Sequence, residues 1–291
     1  MTGGNGQIGC CMSELASSSR AQDIDVICVD RSHADITDRD AVSRLVAEVR
    51  PDVLVNGAAY TQVDDAESNP EIAMKVNGDA VRGLAEICLE ERIRFLQIST
   101  DFVFGDGHDS PIKPDSLPNP LSVYGKTKLE GERACQDVLG SEALIVRTSW
   151  LYKAGHRNFV TTMMGLFRSR DEIGVVDDQI GSPTWGPSLA EGIVELLRHS
   201  VSGVVHYTDS GQASWWEFAK AIYETANKVG LIDEKCDIRP IPTSSYPTPA
   251  TRPSYSVLDK SRTMEVLGHA LPDWRSNLEI FMTELFESNS R

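Results

Sequence analysis

The feature that most limits the fold of this chain is a repeated alternation of short aliphatic runs with segments of helical period. Asp25–Asp30, Pro51–Asn56, Ile93–Ser99 and Ala143–Arg147 are runs with little polar alternation, the pattern of strands covered on both faces. Between them lie a helix through Val49, with Thr37 or Asp38 as its N-cap, a long helix from Glu71 to Glu91, and a helix around Tyr124. Strand and helix in turn predict an α/β fold, a doubly wound parallel sheet with helices on both faces. Beyond Trp150 the pattern loosens. A helix over Asn158–Arg168, a strand over Ile173–Val176, a helix over Pro187–Arg198, a strand over Gly203–Tyr207 and a helix from Trp215 are expected. A Pro/Ser/Thr-rich ordered loop from Ile241 to Pro253 and two helices near Ser261 and Trp274 follow. Residues 1–150 are thus expected to form a dinucleotide-binding domain. Residues 151–291 form mainly a smaller α/β substrate domain, with some segments returning to the first sheet.

The first residues carry glycine at Gly3, Gly6 and Gly9, the spacing of a loop that opens a helix and lets backbone approach a pyrophosphate. Such a loop follows a buried strand, yet only Met1 and Thr2 precede Gly3. The natural chain is therefore expected to begin upstream of Met1. Asp30 closes the next strand, where a carboxylate suits ribose hydroxyls; Arg31 follows and suits a 2′-phosphate, so NADH and NADPH both remain open. Gly57-Ala58-Ala59-Tyr60-Thr61 puts small residues at a strand's carboxyl end, where a flat ligand can lie close to backbone.

A net charge of −15 argues against a nucleic-acid or anionic-membrane surface but leaves room for a small anionic ligand with local donors. No apolar run approaches the roughly 20 residues of a membrane span, and the N-terminus has no basic-then-apolar signal. The six cysteines lack metal-ligand spacing and are expected to be reduced fillers of a cytoplasmic protein.

Tyr124 and Lys128 stand four residues apart among helix formers, so both side chains share one face. An ammonium beside a phenol is expected to lower the phenol's pKa and fit it for proton transfer to a substrate oxygen. The fourth strand delivers Ser99, Thr100 and Asp101 to its carboxyl end, where open α/β sheets bind ligands and a hydroxyl can hydrogen-bond a carbonyl.

The glycine loop, the acid after the second strand, the hydroxyl pair and Tyr124/Lys128 together resemble the extended short-chain dehydrogenase/reductase family. Ser99–Phe104, Val123–Leu129, Arg147–Trp150, Asp178–Thr184 and Tyr246–Pro253 resemble more closely its dTDP-4-dehydrorhamnose reductases. The resemblance implies a Rossmann-type sheet and reduction of the C4 keto group of a dTDP-sugar. It implies cofactor contacts from Gly3, Gly6, Gln7, Ile8, Gly9, Asp30, Arg31, Asp35, Ile36, Ala58, Ala59, Tyr60, Thr61, Ser99, Tyr124 and Lys128. Tyr124 would protonate the forming alkoxide, Lys128 would lower its pKa and hold the nicotinamide ribose, and Thr100 would orient the carbonyl. Asp101 and Trp150 would line the sugar site, with Asn158, Gln179 and Arg252 toward the nucleotide end and Arg252 as a diphosphate partner.

Three departures stand out. Phe102 replaces a tyrosine frequent in the family, and Met1 lies close to the glycine loop. Cys11 and Pro187 stand where some members carry glutamates for a Mg²⁺-bridged dimer; neither is a hard-cation ligand. No metal is expected, and the chain is read as a monomer or homodimer. Two other readings share the constellation: another nucleotide-sugar reductase or epimerase, and a non-catalytic regulatory subunit like the β subunit of methionine adenosyltransferase.

Overall fold

A computed structural model describes residues 1–18 and 23–289. The glycine loop opens α1 (Gln7–Ala16), and Asp38 caps α2 (Arg39–Val49) by accepting from the Ala41 amide. Next come β1 (Val53–Asn56), the short helices α3 (Val63–Ala66) and α4 (Pro70–Met74), a π-helical turn Lys75–Asp79, and α5 (Ala80–Glu91). β2 (Arg94–Thr100) precedes α6 (Val123–Leu139), whose N-cap Ser122 accepts from the Gly125 amide, and β3 (Leu144–Thr148). After it run β4 (Leu151–Tyr152), α7 (Phe159–Ser169), β5 (Glu172–Val176), β6 (Ile180–Gly181), β7 (Thr184–Trp185), α8 (Gly186–Arg198) and β8 (Gly203–His206). The chain closes with β9 (Ala213–Ser214), α9 (Trp215–Lys228), β10 (Asp237–Ile241), α10 (Ser261–Leu267) and α11 (Trp274–Asn289).

The main sheet is parallel, in the order β1-β2-β3-β8. Thr2 extends it past β1, bridging in parallel to both Asn56 and Val29. The run Asp25–Asp30 therefore lies where a strand was expected but forms only the bridge between Val29 and Thr2. From Thr2 the chain goes first to one side, at Val29, and later to the other, at Asn56. The glycine loop thus sits at the topological switch point, the place where open α/β sheets bind ligands.

Alternate strand residues explain the layering. Val55, Leu96, Leu144 and Val146 pack on α1 and α8, while Leu54, Phe95 and Ile145 pack on α2, α5 and α6. A second core joins α7, α9 and α11 through Met164, Phe167, Phe218 and Phe281. Two parallel strands, β5 and β10, flank it; β10 falls in a stretch for which no strand was expected. Its one proline, Pro240, sits on the exposed edge of a two-stranded ladder, where a missing donor is tolerated.

One buried ion pair ties these pieces beneath the site. Arg147 at the end of β3 donates to both Glu132 oxygens on α6, at 2.9 and 2.7 Å, and to the Pro114 carbonyl at 3.1 Å. His206 of β8 lies against the same guanidinium, and burial with that positive neighbour drives its pKa down to about 3, so it stays neutral.

Candidate active site

A cavity of about 1100 Å³ opens at the carboxyl end of the sheet. The sheet lobe supplies one wall. Thr100 ends β2 and hydrogen-bonds the Asp101 carboxylate at 3.0 Å, while Tyr124 and Lys128 project from the first turns of α6. The Lys128 ammonium donates to the Ile98 carbonyl at 2.7 Å, which staples α6 to β2. Phe102 meets the Tyr124 ring edge-on with centroids 5.7 Å apart, holding the phenol beside the Thr100 hydroxyl.

The electrostatics correct one expectation. Lys128 does not lower the Tyr124 pKa: burial pushes the phenol up to about 12, against the Thr100 hydroxyl bond that favours its anion. The ammonium is committed to the Ile98 carbonyl, and burial pulls Lys128 itself down to about 8 against the attraction of Glu132 one turn away. Asp101, buried, is pushed up to about 6. Its Oδ2, together with the Ser99 and Thr148 hydroxyls, is buried without a hydrogen-bond partner. Orphaned polar atoms lining a cavity are what a polar ligand or ordered water would satisfy.

The cofactor end is a groove along the glycine loop. Gly3, Gly6, Gln7, Ile8, Asp30, Arg31, Asp35, Ile36, Ala58, Ala59, Tyr60, Thr61 and Ser99 all line it. Gly9 does not; a Cβ there would lie 2.3 Å from the Gly3 carbonyl oxygen, so it lets helix and loop close on each other. Asp30 is hydrogen-bonded by Ser32, His33 and Asn5, which hold its carboxyl well below the usual range, and Arg31 pairs with Asp35 at 2.8 Å. A glycine cradle with no room for side chains, a fixed carboxylate at its far end and unsatisfied hydroxyls beside Lys128 together fit an extended nicotinamide dinucleotide.

The facing wall is aromatic. Trp150 stacks on Trp215 with centroids 3.4 Å apart, Phe159 leans on Trp215, and Gly181 leaves the slot behind the Trp150 indole. Trp150 holds φ +47°, a backbone region that costs a non-glycine residue of order 1 kcal/mol and recurs at functional sites. Asn158 lines the cavity as the N-cap of α7 and donates to the Gln7 side chain at 3.0 Å, tying this wall to α1. Gln179 and Arg252 stand outside the cavity. Gln179 bonds Thr243, and Arg252 is held by both Asp64 oxygens, by Thr248 and by the Ala250 carbonyl.

Several residues went unread in the sequence. Asn77, buried in the π turn, accepts from the Tyr60 amide at 2.8 Å and donates to the Tyr60 carbonyl and to Thr127 of α6, which in turn donates to the Tyr124 carbonyl. Phe159, Trp215, His156 and Arg157 also line the cavity. Trp215 has the signature of a core residue, and nothing in a lone Asn, His or Arg marks it out.

A switch-point glycine loop joined to a Thr/Tyr/Lys set at the end of a parallel sheet defines a Rossmann-type reductase of the short-chain dehydrogenase/reductase class. Within that class the chain belongs to the family described as the RmlD substrate binding domain, whose model matches residues 1–286. It is 41% identical over 283 residues to a dTDP-4-dehydrorhamnose reductase of Streptomyces griseus, covering 96% of this chain and 90% of that one. A dTDP-4-keto-6-deoxy-D-glucose reductase of Streptomyces niveus is 37% identical over 258 residues, 89% of this chain and 87% of the other. The crystal structure of dTDP-4-dehydrorhamnose reductase from Bacillus anthracis in complex with NADP superposes with a TM-score of 0.89 at 35% identity, covering 97% of each chain.

Proposed function

We propose that this chain reduces the C4 keto group of dTDP-4-dehydro-L-rhamnose to give dTDP-L-rhamnose, with NADPH or NADH as the reductant. The observation that carries this reading is the placement of Thr100, Tyr124 and Lys128 in one cavity with the glycine loop. The bound nicotinamide supplies the hydride. Tyr124, still protonated far above neutral pH, gives its phenolic proton to the substrate oxygen as that oxygen gains charge. Thr100 donates to the same oxygen and orients the carbonyl. Lys128, on α6 with its ammonium against β2, holds the nicotinamide ribose, while Asp101, Trp150 and Trp215 bound the sugar. The glycine-loop residues, with Asp30, Arg31, Asp35, Ile36 and Ala58–Thr61, hold the dinucleotide. Residues 1–150 carry the cofactor, and residues 151–291, apart from β8 and α8, carry the sugar nucleotide.

The reading places the protein in the cytoplasm, as a monomer or homodimer working on a free dTDP-sugar without nucleic acid or membrane. Its support is the charge of −15; no described helix is long and apolar enough to cross a membrane. A second reading keeps the chemistry and changes the sugar, and the Streptomyces niveus relative favours it.

The test is oxidation of NADPH and NADH with dTDP-4-dehydro-L-rhamnose and, separately, with dTDP-4-keto-6-deoxy-D-glucose, each beside Tyr124→Phe. Turnover of the rhamnose precursor, lost in the variant, is expected. Turnover of the glucose-derived sugar alone would move the assignment to the second reading, and cofactor binding without turnover of either sugar would sink both.

A further inference from the structure

Resting on that reading, the structure must also offer a cation to the diphosphate of the sugar nucleotide, and the arginine expected for this task is committed elsewhere. Arg252 spends its guanidinium on Asp64, Thr248 and Ala250, outside the cavity. Among the cations that do line the cavity, Arg31 is paired with Asp35, and Lys128 is buried against the Ile98 carbonyl beside the reacting groups. Arg157 lines it too, and it is exposed. Among the described residues it makes no ion pair and no hydrogen bond, in a chain that carries 43 carboxylates against 28 lysines and arginines.

The orphaned Asp101 and Thr148 oxygens mark where a sugar's hydroxyls would be satisfied. From there the wall of Trp150 and Phe159 leads to Arg157, which precedes the N-cap of α7. The loop that carries it is anchored at both ends, by Lys153 to Glu14 at 2.8 Å and by Asn158 to Gln7 at 3.0 Å, so the guanidinium is delivered by a fixed frame.

We propose that Arg157 is the cation that binds the diphosphate of the sugar nucleotide, and that Arg252 is a structural latch. An unpaired guanidinium offers a diphosphate two charge-assisted hydrogen bonds without first breaking an ion pair.

The test measures binding of dTDP, and separately of NADPH, by calorimetry to the full chain and to Arg157→Ala, Arg157→Lys and Arg252→Lys. Arg157→Ala is expected to weaken dTDP by about ten- to a hundredfold, as lost charge-assisted bonds do. It should leave the NADPH affinity within about twofold and the melting temperature unchanged. Arg157→Lys should recover part of the loss, and KM for the keto sugar should rise more than kcat falls. Unchanged dTDP binding in Arg157→Ala would overturn the proposal while leaving the reductase reading intact. So would a loss of NADPH affinity as large as that of dTDP, which would assign the cation to the cofactor's own diphosphate. A loss of dTDP binding in Arg252→Lys with an unchanged melting temperature would also overturn it. If the unaltered chain bound NADPH but no dTDP, the sugar-nucleotide reading itself would fail, and this proposal with it.

Discussion

On one side of the cavity Lys128 is bonded to the Ile98 carbonyl, Thr100 to Asp101, and Asn77 to both backbone groups of Tyr60 and to Thr127 of the Tyr124 helix. On the other side Trp150 rests on Trp215, Phe159 leans on Trp215 in turn, and the ring contacts among them are dispersive. Directional bonds fix where a proton can go; stacked rings fix only what shape fits. On the proposed function the two walls therefore divide the work, with chemistry on the sheet lobe and selection on the aromatic face.

The largest effect expected from this division is on Tyr124. Tyr124→Phe removes the proton donor proposed for the substrate oxygen. Its kcat should fall by about 10²–10⁴, with NADPH affinity within about twofold, as measured by steady-state turnover and a fluorescence titration. A loss below tenfold would mean that the donor lies on the other wall.

Next comes the foundation of the sheet wall. Arg147→Met leaves Glu132 buried and unpaired, which should cost about 3–5 kcal/mol in urea unfolding, whereas the double variant with Glu132→Leu should regain most of it. If Arg147→Met cost less than about 1 kcal/mol, the wall would not depend on this pair.

The pH profile separates the walls differently. Burial lowers Lys128 to about 8, so its ammonium is present below that pH and lost above it. The kcat/KM for NADPH should therefore fall along a limb centred near pH 8, while the affinity for dTDP stays flat across it. Lys128→Arg should move that limb beyond the measurable range, since a guanidinium remains charged. An unshifted limb would assign it to another group.

The smallest effect belongs to the aromatic wall. Trp215→Ala removes a stacking partner worth about 0.5–1.5 kcal/mol, so KM for the keto sugar should rise about three- to tenfold with kcat little changed. A fall in kcat beyond about a hundredfold would break the division outright.

The same contrast governs how much could be read from the sequence. The sheet wall was legible because its logic is local. Tyr124 and Lys128 share a helix face by spacing, and Thr100 ends an unmistakable strand. Residues whose role depends on a distant partner were not legible. Arg252 looks like a free guanidinium until Asp64, 188 residues away, is brought against it. The run Asp25–Asp30 has a strand's composition but forms only one bridge, at Val29, and composition says nothing about the neighbour a run will meet. The pKa of Tyr124 was misjudged for the same reason. Spacing puts a lysine near the phenol, but only the fold shows that the ammonium faces a carbonyl and that burial outweighs it.

Asn77 carries a consequence for how such a site can diverge. One side chain clasps the ledge at Tyr60 to the helix of Tyr124, so on the proposed function it ties the cofactor floor to the proton donor. The aromatic face touches none of these bonds. Its residues can be exchanged, and a different ring pattern admitted, without retuning the reacting atoms. On the proposed function, catalysis and recognition are then separable, and a new substrate could be reached by recasting one wall while the other stands still.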